Sequence, residues 1–179
     1  MFRILIPIML WLTLWACSSA EQSSPSQTSG YAIATENYAV LAEKALSYQA
    51  DFDWEGWADL LAEDVQYFLP DSTHPLVGKA AVLSYWKSWP QRKGLRFWQL
   101  SHFNHIPIQS TQALHLSGLA GVHVISICKG QFTYTDGHTQ ALSLNYCCHF
   151  NANKRIDRLY SYHNPLPMMA NLTNLKTIK

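Results

Sequence analysis

Residues 50–67 read ADFDWEGWADLLAEDVQY, and this stretch decides the fold that the sequence predicts. Asp53 is a suitable N-cap for a short helix whose apolar residues lie on one side: Trp54, Trp57, Leu60 and Leu61. Residues 65–69 (VQYFL) then have the composition of a short strand, which Pro70 ends. This step from helix to strand lies between two regions whose hydrophobic periods differ.

Upstream, apolar residues fall at three- and four-residue steps over 35–50, which predicts an amphipathic helix of about four turns. Downstream, a third helix is predicted over 80–89, where Pro90 ends it, and from Leu95 the period becomes two. Helices followed by a meander of long strands indicate an α+β domain, in which three helices cover one face of a strongly curved, mostly antiparallel sheet. The strands are predicted over 95–109, 118–135, 140–151 and 155–162, with a two-residue hairpin turn at Asp136-Gly137.

The composition excludes two classes of protein. The 179 residues include 13 Lys and Arg against 12 Asp and Glu, a net charge of +1 that lacks the basic surplus of a general nucleic-acid binder. Charged residues make up 14% of the chain and aromatic residues 13%, which does not suit extended disorder. We therefore expect one folded domain with no nucleic-acid partner.

The N-terminus has the features of a secretory signal. Arg3 precedes the apolar stretch Ile4–Trp15, and Leu14-Trp15-Ala16-Cys17 resembles the lipobox of bacterial lipoproteins, in which the cysteine is acylated. This indicates a signal peptide over 1–16 and lipidation of Cys17, with an ordinary cleaved signal or an uncleaved anchor as the alternatives. Because Ser18 follows the cysteine, the lipobox resemblance implies anchoring in the outer membrane of a bacterial cell envelope, facing the periplasm.

Three further segments follow the signal peptide. The lipidated cysteine and a Ser-rich tether occupy 17–30, which has no periodicity and little to bury. The folded domain is predicted over 31–165 and a C-terminal tail over 166–179. Removal of 1–16 takes away one charge, so the mature chain has 12 basic and 12 acidic residues.

Four segments of the domain resemble the SnoaL-like, nuclear transport factor 2-like superfamily. They are 50–67, Val77-Gly-Lys-Ala-Ala-Val82, Ser101-His-Phe-Asn-His105 and Phe150-Asn-Ala-Asn-Lys-Arg-Ile156, and the resemblance covers about 35–163. It implies a cone of helices and curved sheet around a deep pocket. The superfamily includes ketosteroid isomerases, dehydratases, cyclases, epoxide hydrolases and pure binding domains, so the fold alone does not give the activity. It also implies a homodimer through the open face of the sheet.

The resemblance implies catalytic residues for only one branch. Where ketosteroid isomerases have their Asp base before a proline, this chain has Leu69, so that mechanism lacks its first step. His102 and His123 match the two histidines of the scytalone dehydratase-like branch, in which a base removes a proton and an acid protonates a leaving hydroxyl. Asp51 lies one residue from the position of the paired carboxylate, which Ala50 occupies. Both histidines could instead be hydrogen-bonded core residues.

The strand period gives these histidines expected neighbours. It places His102 on one face with Leu100, Asn104 and Ile106, while the two-residue hairpin places His123 opposite Phe150. Aromatic side chains are candidate walls of a ligand pocket, with packing in the core as the alternative. These candidates are Tyr48, Tyr67, Trp86 and Tyr146.

Two functions therefore remain open from the sequence. The first is a lipid-anchored domain that binds a small, largely apolar ligand, aromatic or polyketide- or steroid-like. The second is a cofactor-independent dehydratase or isomerase that uses the histidine pair on a hydroxy-carbonyl substrate. No His-x-x-x-His or Cys-x-x-Cys spacing occurs, so we expect no metal and no cofactor. Among Cys128, Cys147 and Cys148, a disulfide between Cys128 and Cys147 and three buried thiols are both compatible with the spacing.

Overall fold

The structure is a computed structural model that describes residues 30–70 and 72–163. The predicted signal peptide, Cys17, the Ser-rich segment up to residue 29 and the tail over 166–179 lie outside the described residues. The described elements, in chain order, are β1 Tyr31–Ile33, α1 Glu36–Ala50, α2 Trp54–Leu60, β2 Leu61–Phe68, β3 Leu76–Val77, α3 Lys79–Lys93, β4 Leu95–Ser110, β5 Gly121–Tyr134, β6 Thr139–Phe150 and β7 Ile156–Tyr162.

The seven strands form one sheet in the order β1-β4-β5-β6-β7-β2-β3. The contact between β2 and β7 is parallel and every other neighbouring pair is antiparallel. The predicted α+β architecture, with three helices on a curved and mostly antiparallel sheet, is confirmed. The short strands β1 and β3 were not predicted, because two or three residues are too few to show a period.

The structure confirms the predicted start of α2 and changes the predicted ends of α2 and α3. The carboxylate of Asp53 accepts a hydrogen bond from the Gly56 backbone N–H at 2.9 Å, which confirms it as the cap of α2. Leu61, expected on that helix, is already in β2. Helix α3 continues past Pro90 to Lys93 and ends at Gly94, whose φ of +62° suits a left-handed C-cap. Trp89 and Pro90 are both buried, and this packing offsets the hydrogen bond that the proline lacks.

The hairpin between β5 and β6 has a three-residue loop instead of the predicted two-residue turn. Tyr134 and His138 close the loop, and Gly137 takes the left-handed position with φ of +88°. His123 therefore lies opposite His149 and not opposite Phe150. The predicted register was wrong by one residue. Because side chains alternate along a strand, this error placed every β6 side chain on the wrong face of the sheet.

A bulge in β4 overturns a second expectation. The register passes from Ser101 opposite Lys129 to Asn104 opposite Ile127, with His102 at φ of +53° inside the irregular step. The prediction that His102 shares a face with Leu100, Asn104 and Ile106 is wrong. The extra residue reverses the alternation of side chains within β4, so Leu100 lies on one face of the sheet and Asn104 and Ile106 lie on the other.

The core lies between the helices and one face of the sheet. Its buried members run from Ala42 to Leu159, so a fragment that starts at Gly30 keeps the complete described core. The other face of the sheet leaves Ile106, Ile127 and Tyr162 exposed by about two fifths each. This is the face on which a homodimer remains a prediction. None of the described helices combines the length and the apolar character that crossing a bilayer requires.

Candidate functional site

The structure does not bring the three predicted catalytic residues together. His102 is exposed on the β4 bulge, where its Nδ1 lies 3.0 Å from Ser101 Oγ. Asp51 is exposed at the C-terminal end of α1. His123 lies opposite Ile108, six positions along β4 from His102 and therefore roughly 20 Å away along the strand. His102 and His123 therefore cannot act together on one substrate atom in this structure.

His123 is fully buried on the sheet face away from the helices. Its Nε2 lies 2.8 Å from Ser117 Oγ in the loop between β4 and β5, and its Nδ1 has no partner among the described residues. Burial, assisted by the neighbouring His149, lowers the pKa of His123 to about 4. The ring is therefore neutral at physiological pH.

His149 links this loop to β7. Its Nδ1 is 2.5 Å from Asp157 Oδ1, its Nε2 is 3.1 Å from the carbonyl oxygen of Ala120, and its ring centre is 4.6 Å from that of His123. Both partners are acceptors, so the ring donates through both nitrogens when both bonds form. Since its hydrogen bonds join the loop to two strands, we interpret this histidine cluster as structural.

The helix-covered face contains a continuous stack of aromatic rings. Tyr67 stacks on Trp86 at 5.4 Å, Trp86 on Trp98 at 6.0 Å, and Trp98 on Phe132 at 5.4 Å, with interplanar angles of 21°, 26° and 23°. Sequence positions 67, 86, 98 and 132 come from β2, α3, β4 and β5, so this ring wall exists only in the assembled fold.

A small cavity lies against this ring wall. Its volume is about 20 Å³, and its lining consists of Tyr67, Trp86, Trp89, Trp98, Phe132, Leu144, Tyr146, Ser161 and His163. Three of the predicted pocket residues, Tyr67, Trp86 and Tyr146, therefore do meet. Tyr48 does not join them: it packs against Gly56, with the Lys44 ammonium 5.3 Å from its ring centre.

The cavity has room for about one water molecule, whereas ligand pockets usually enclose about 300–1,000 Å³. The deep pocket implied by the family resemblance is thus not open in this structure, because aromatic side chains fill the space under α3. Trp57, Trp86 and Trp98 are all nearly or fully buried there. Large aromatic residues in a cone can line a ligand site or replace one, and the sequence alone could not distinguish the two.

Polar groups are mixed into this aromatic interior. Gln49 Nε2 donates to the Tyr67 hydroxyl at 3.3 Å, while Gln49 Oε1 has no partner among the described residues. Burial raises the pKa values of Tyr67 and Tyr146 well above the usual phenol range. Both phenols therefore stay protonated and act as neutral hydrogen-bonding groups.

Comparison with solved structures identifies the architecture. An NTF2-like protein of unknown function from Burkholderia pseudomallei K96243 is similar over 76% of this chain and 97% of its own, with 15% identity and a TM-score of 0.59. A proposed SnoaL-like polyketide cyclase from Shewanella putrefaciens CN-32 is similar over 78% of this chain and 87% of its own, with 13% identity and a TM-score of 0.60. The chain has the nuclear transport factor 2-like fold.

A third solved structure with this nuclear transport factor 2-like fold was obtained in the presence of a small compound. TerC, co-crystallised with polyporic acid, is similar over 74% of this chain and 95% of its own, with 13% identity and a TM-score of 0.57. No protein-family model matches the sequence, and no curated protein matches it. At these identities the similarity establishes the fold and leaves the activity to be argued from the chain's own residues.

The sequence reasoning missed one group of polar residues on the helix-covered face of the sheet. His105 Nε2 lies 3.1 Å from Glu43 Oε2 on α1, and His105 Nδ1 lies 2.8 Å from the hydroxyl of Ser126 on β5. The carboxylate only accepts, so Nε2 carries the proton, and the Ser126 hydroxyl donates to Nδ1 when the ring is neutral. Ser126 is buried, and Tyr146, which lines the cavity, lies directly opposite it in the ladder.

His105 escaped prediction because the bulge in β4 moved it onto the helix-covered face. No motif marks Glu43, His105 and Ser126, which are separated by 62 and 21 positions in the chain. Within residues 30–70 and 72–163, no cluster of three or more His, Cys, Asp or Glu side chains has an arrangement that could hold a metal ion.

Proposed function

We propose that this protein is a lipid-anchored domain of the bacterial cell envelope that binds a small, largely apolar ligand inside its cone. The observation that carries the proposal is the wall of four near-parallel rings, Tyr67, Trp86, Trp98 and Phe132, beside a cavity that also contains the Tyr146 and Ser161 side chains. Flat rings offer a large apolar contact area to an aromatic, polyketide-like or steroid-like compound.

Binding requires the cavity to widen from its present volume of about 20 Å³. In this proposal the cavity widens by a shift of α3, because this helix supplies two of the lining rings, Trp86 and Trp89. A ligand that enters beside Trp98 would exchange ring-to-ring contacts for ring-to-ligand contacts, so little apolar burial is lost when the cone opens.

The anchoring part of the proposal rests on Cys17 and its lipobox-like context. Metabolic labelling with palmitate should label the intact protein, and Cys17→Ser should abolish labelling and release the protein from the membrane fraction. Cys147→Ser is the matched control, since Cys147 is a buried thiol of the folded domain. An unlabelled wild-type protein would overturn the anchoring and leave the ligand proposal standing.

The ligand part is tested on the fragment from Gly30 to Lys179, after circular dichroism has shown that it is folded. Hydroxylated aromatic and steroid-like compounds are screened for a rise in the thermal unfolding midpoint, which follows when only the folded state binds. Trp86→Ala should remove the rise for every hit, whereas Trp54→Ala, outside the cavity lining, should keep it. A hit whose effect is unchanged in Trp86→Ala binds elsewhere and counts against the proposal.

A second candidate is an acid–base enzyme of the dehydratase or isomerase kind. Glu43, His105 and Ser126 supply the argument in place of the predicted His102, His123 and Asp51. Glu43 orients the His105 ring through Nε2, and Nδ1 is placed to accept the proton of the Ser126 hydroxyl. If a hydroxy-carbonyl compound is turned over, His105→Gln should abolish turnover while the exposed His74→Gln should not. Equal turnover in wild type and His105→Gln would exclude this candidate.

A further inference from the structure

Unpartnered polar atoms are concentrated around the cavity. Among the described residues, five buried side-chain nitrogen or oxygen atoms have no hydrogen-bond partner, and four of them belong to Gln49, Trp57, Trp86 and Trp98. Tyr67 joins three of these residues: it accepts a hydrogen bond from Gln49, its ring meets Trp57 edge-on at 6.4 Å, and it stacks on Trp86. These four residues with unpartnered polar atoms therefore form one cluster.

Most of these unpartnered polar atoms are of one chemical kind. The three indole Nε1–H groups can only donate, and they lie on residues that are at most 6% exposed. Folded domains leave few buried donors unsatisfied, so three on neighbouring side chains call for a common explanation. Two of the three donors belong to residues that line the cavity, Trp86 and Trp98.

The cavity's charge restricts that acceptor. No Lys or Arg lines it, its phenols, Tyr67 and Tyr146, stay protonated because burial raises their pKa values, and the imidazole of His163 is the one lining group that could carry a positive charge. An anionic ligand would therefore be buried without a counter-charge from Lys or Arg, which is unfavourable in an apolar interior. A neutral oxygen acceptor meets the indole donors without that penalty.

We infer that the ligand is a planar, uncharged ring compound whose carbonyl or ring-ether oxygens accept hydrogen bonds from the indole N–H groups of Trp86 and Trp98. Its ring lies against the stacked aromatic wall, and its oxygens lie at the edges of the two tryptophans. This inference rests on the proposed ligand-binding function and specifies the chemistry that the cone would select.

The test uses three probes of similar size: naphthalene, which has no oxygen; chromone, which has a ring ether and a carbonyl; and chromone-2-carboxylate, which adds a negative charge. Each is titrated into the ¹⁵N-labelled fragment from Gly30 to Lys179, and the indole N–H signals are followed by NMR. Chromone should move the Trp86 and Trp98 indole signals downfield, naphthalene should bind without that shift, and the carboxylate should bind at least about tenfold more weakly than chromone.

Two substitutions that keep an aromatic ring, though a smaller one, and remove the donor complete the test. Trp98→Phe and Trp86→Phe should each weaken chromone about fivefold, the effect of one neutral hydrogen bond, while naphthalene changes by less than about twofold. Trp54→Phe is the control, because Trp54 is neither in the cavity lining nor among the unpartnered donors. The chromone-induced shifts in the wild-type protein remain readable even if a variant fails to fold.

The outcomes separate this inference from the proposed function. If naphthalene binds as tightly as chromone and both phenylalanine variants keep chromone affinity, the cone binds apolar rings but the donors do not select them, and the inference is overturned. If the carboxylate binds best, the charge argument is wrong and the inference fails with it. If none of the three probes binds and the wider screen also finds no ligand, the proposed function itself fails.

Discussion

The buried His123 predicts a specific loss of stability in acid. In the unfolded chain its pKa returns to the ordinary value of 6.5, whereas burial beside His149 holds it at about 4 in the folded protein. Between these two values the unfolded state binds the proton more readily than the folded state. The free energy of unfolding is therefore fully present above pH 6.5 and falls as the pH is lowered toward 4.

The magnitude follows from the difference between the two pKa values, which is 6.5 minus 4, or about 2.5. At 1.36 kcal/mol for each pKa unit, the limiting loss is about 3 kcal/mol, and linkage gives about 2 kcal/mol at pH 5 relative to pH 7.5. His123 is only 1% exposed, so solvent screening reduces this little. For a domain of this size, that is a large share of the total stability.

Urea unfolding at pH 7.5 and pH 5.0 measures the effect. His123→Gln replaces the imidazole with a neutral group that can still accept a hydrogen bond from Ser117, so its pH-dependent loss should be about 2 kcal/mol smaller than that of the wild type. His115→Gln, an exposed residue of the same loop, should behave like the wild type. Equal pH dependence in wild type and His123→Gln would refute the reasoning.

Three further predictions concern stability and reactivity. Gly121→Ala should lower the free energy of unfolding in urea by about 1–3 kcal/mol, because the glycine has φ of +124° and a Cβ there would lie 2.8 Å from His149 Nε2. Gly118→Ala, with open space around it, should lower it by less, and an equal loss would contradict the steric argument. Asp53→Ala should lower the free energy of unfolding by about 1 kcal/mol through the lost cap of α2, with the exposed Asp59→Ala unchanged within about 0.5 kcal/mol. The thiols of Cys128 and Cys147, whose pKa values burial raises to about 11, should react with a disulfide reagent at pH 8 only after denaturation, and fast reaction of the folded fragment would show that they are accessible.

The cysteines also show where spacing is insufficient to predict pairing. Cys128, Cys147 and Cys148 are free thiols in the folded domain, so the Cys128–Cys147 disulfide that the spacing allowed is not formed. The reason is the hairpin register: Cys128 lies opposite Leu144, which places Cys147 on the other face of the sheet. The alternative, three buried thiols, is the one that the structure has.

The architecture was predictable because it depends on strong local signals. The period of α1, the Asp53 cap and the change to period two at Leu95 each come from several residues that agree. The meeting of Tyr67, Trp86 and Tyr146 also followed from the sequence, through the resemblance to a cone-shaped family. The closed state of the cavity could not be predicted, since it depends on how rings from four elements fill a shared space.

The predicted catalytic residues depended on weaker signals. His102 came from a short local match, and Asp51 was only the carboxylate next to the matching position, which Ala50 occupies. One extra residue in the β4 bulge was enough to leave His102 exposed and bring His105 under the helices. A bulge has no reliable sequence mark here, because Ser101-His-Phe-Asn-His105 contains no glycine or proline. The Glu43–His105–Ser126 group could therefore be found only from the assembled sheet.

The register of the β5–β6 hairpin shows which physical effect decides such cases. A two-residue turn at Asp136-Gly137 would pair β6 one position away and turn Leu144, Tyr146 and Phe150 from the helices toward the opposite face. Each of these side chains is buried in the core, and burial of such a side chain contributes on the order of 1.5–3 kcal/mol. A preference of two residues for one turn type cannot offset three such contributions, particularly when Gly137 serves equally well as the left-handed residue of a three-residue loop. The core therefore selects the turn, and with it places Tyr146 in the cavity wall and His149 beside His123.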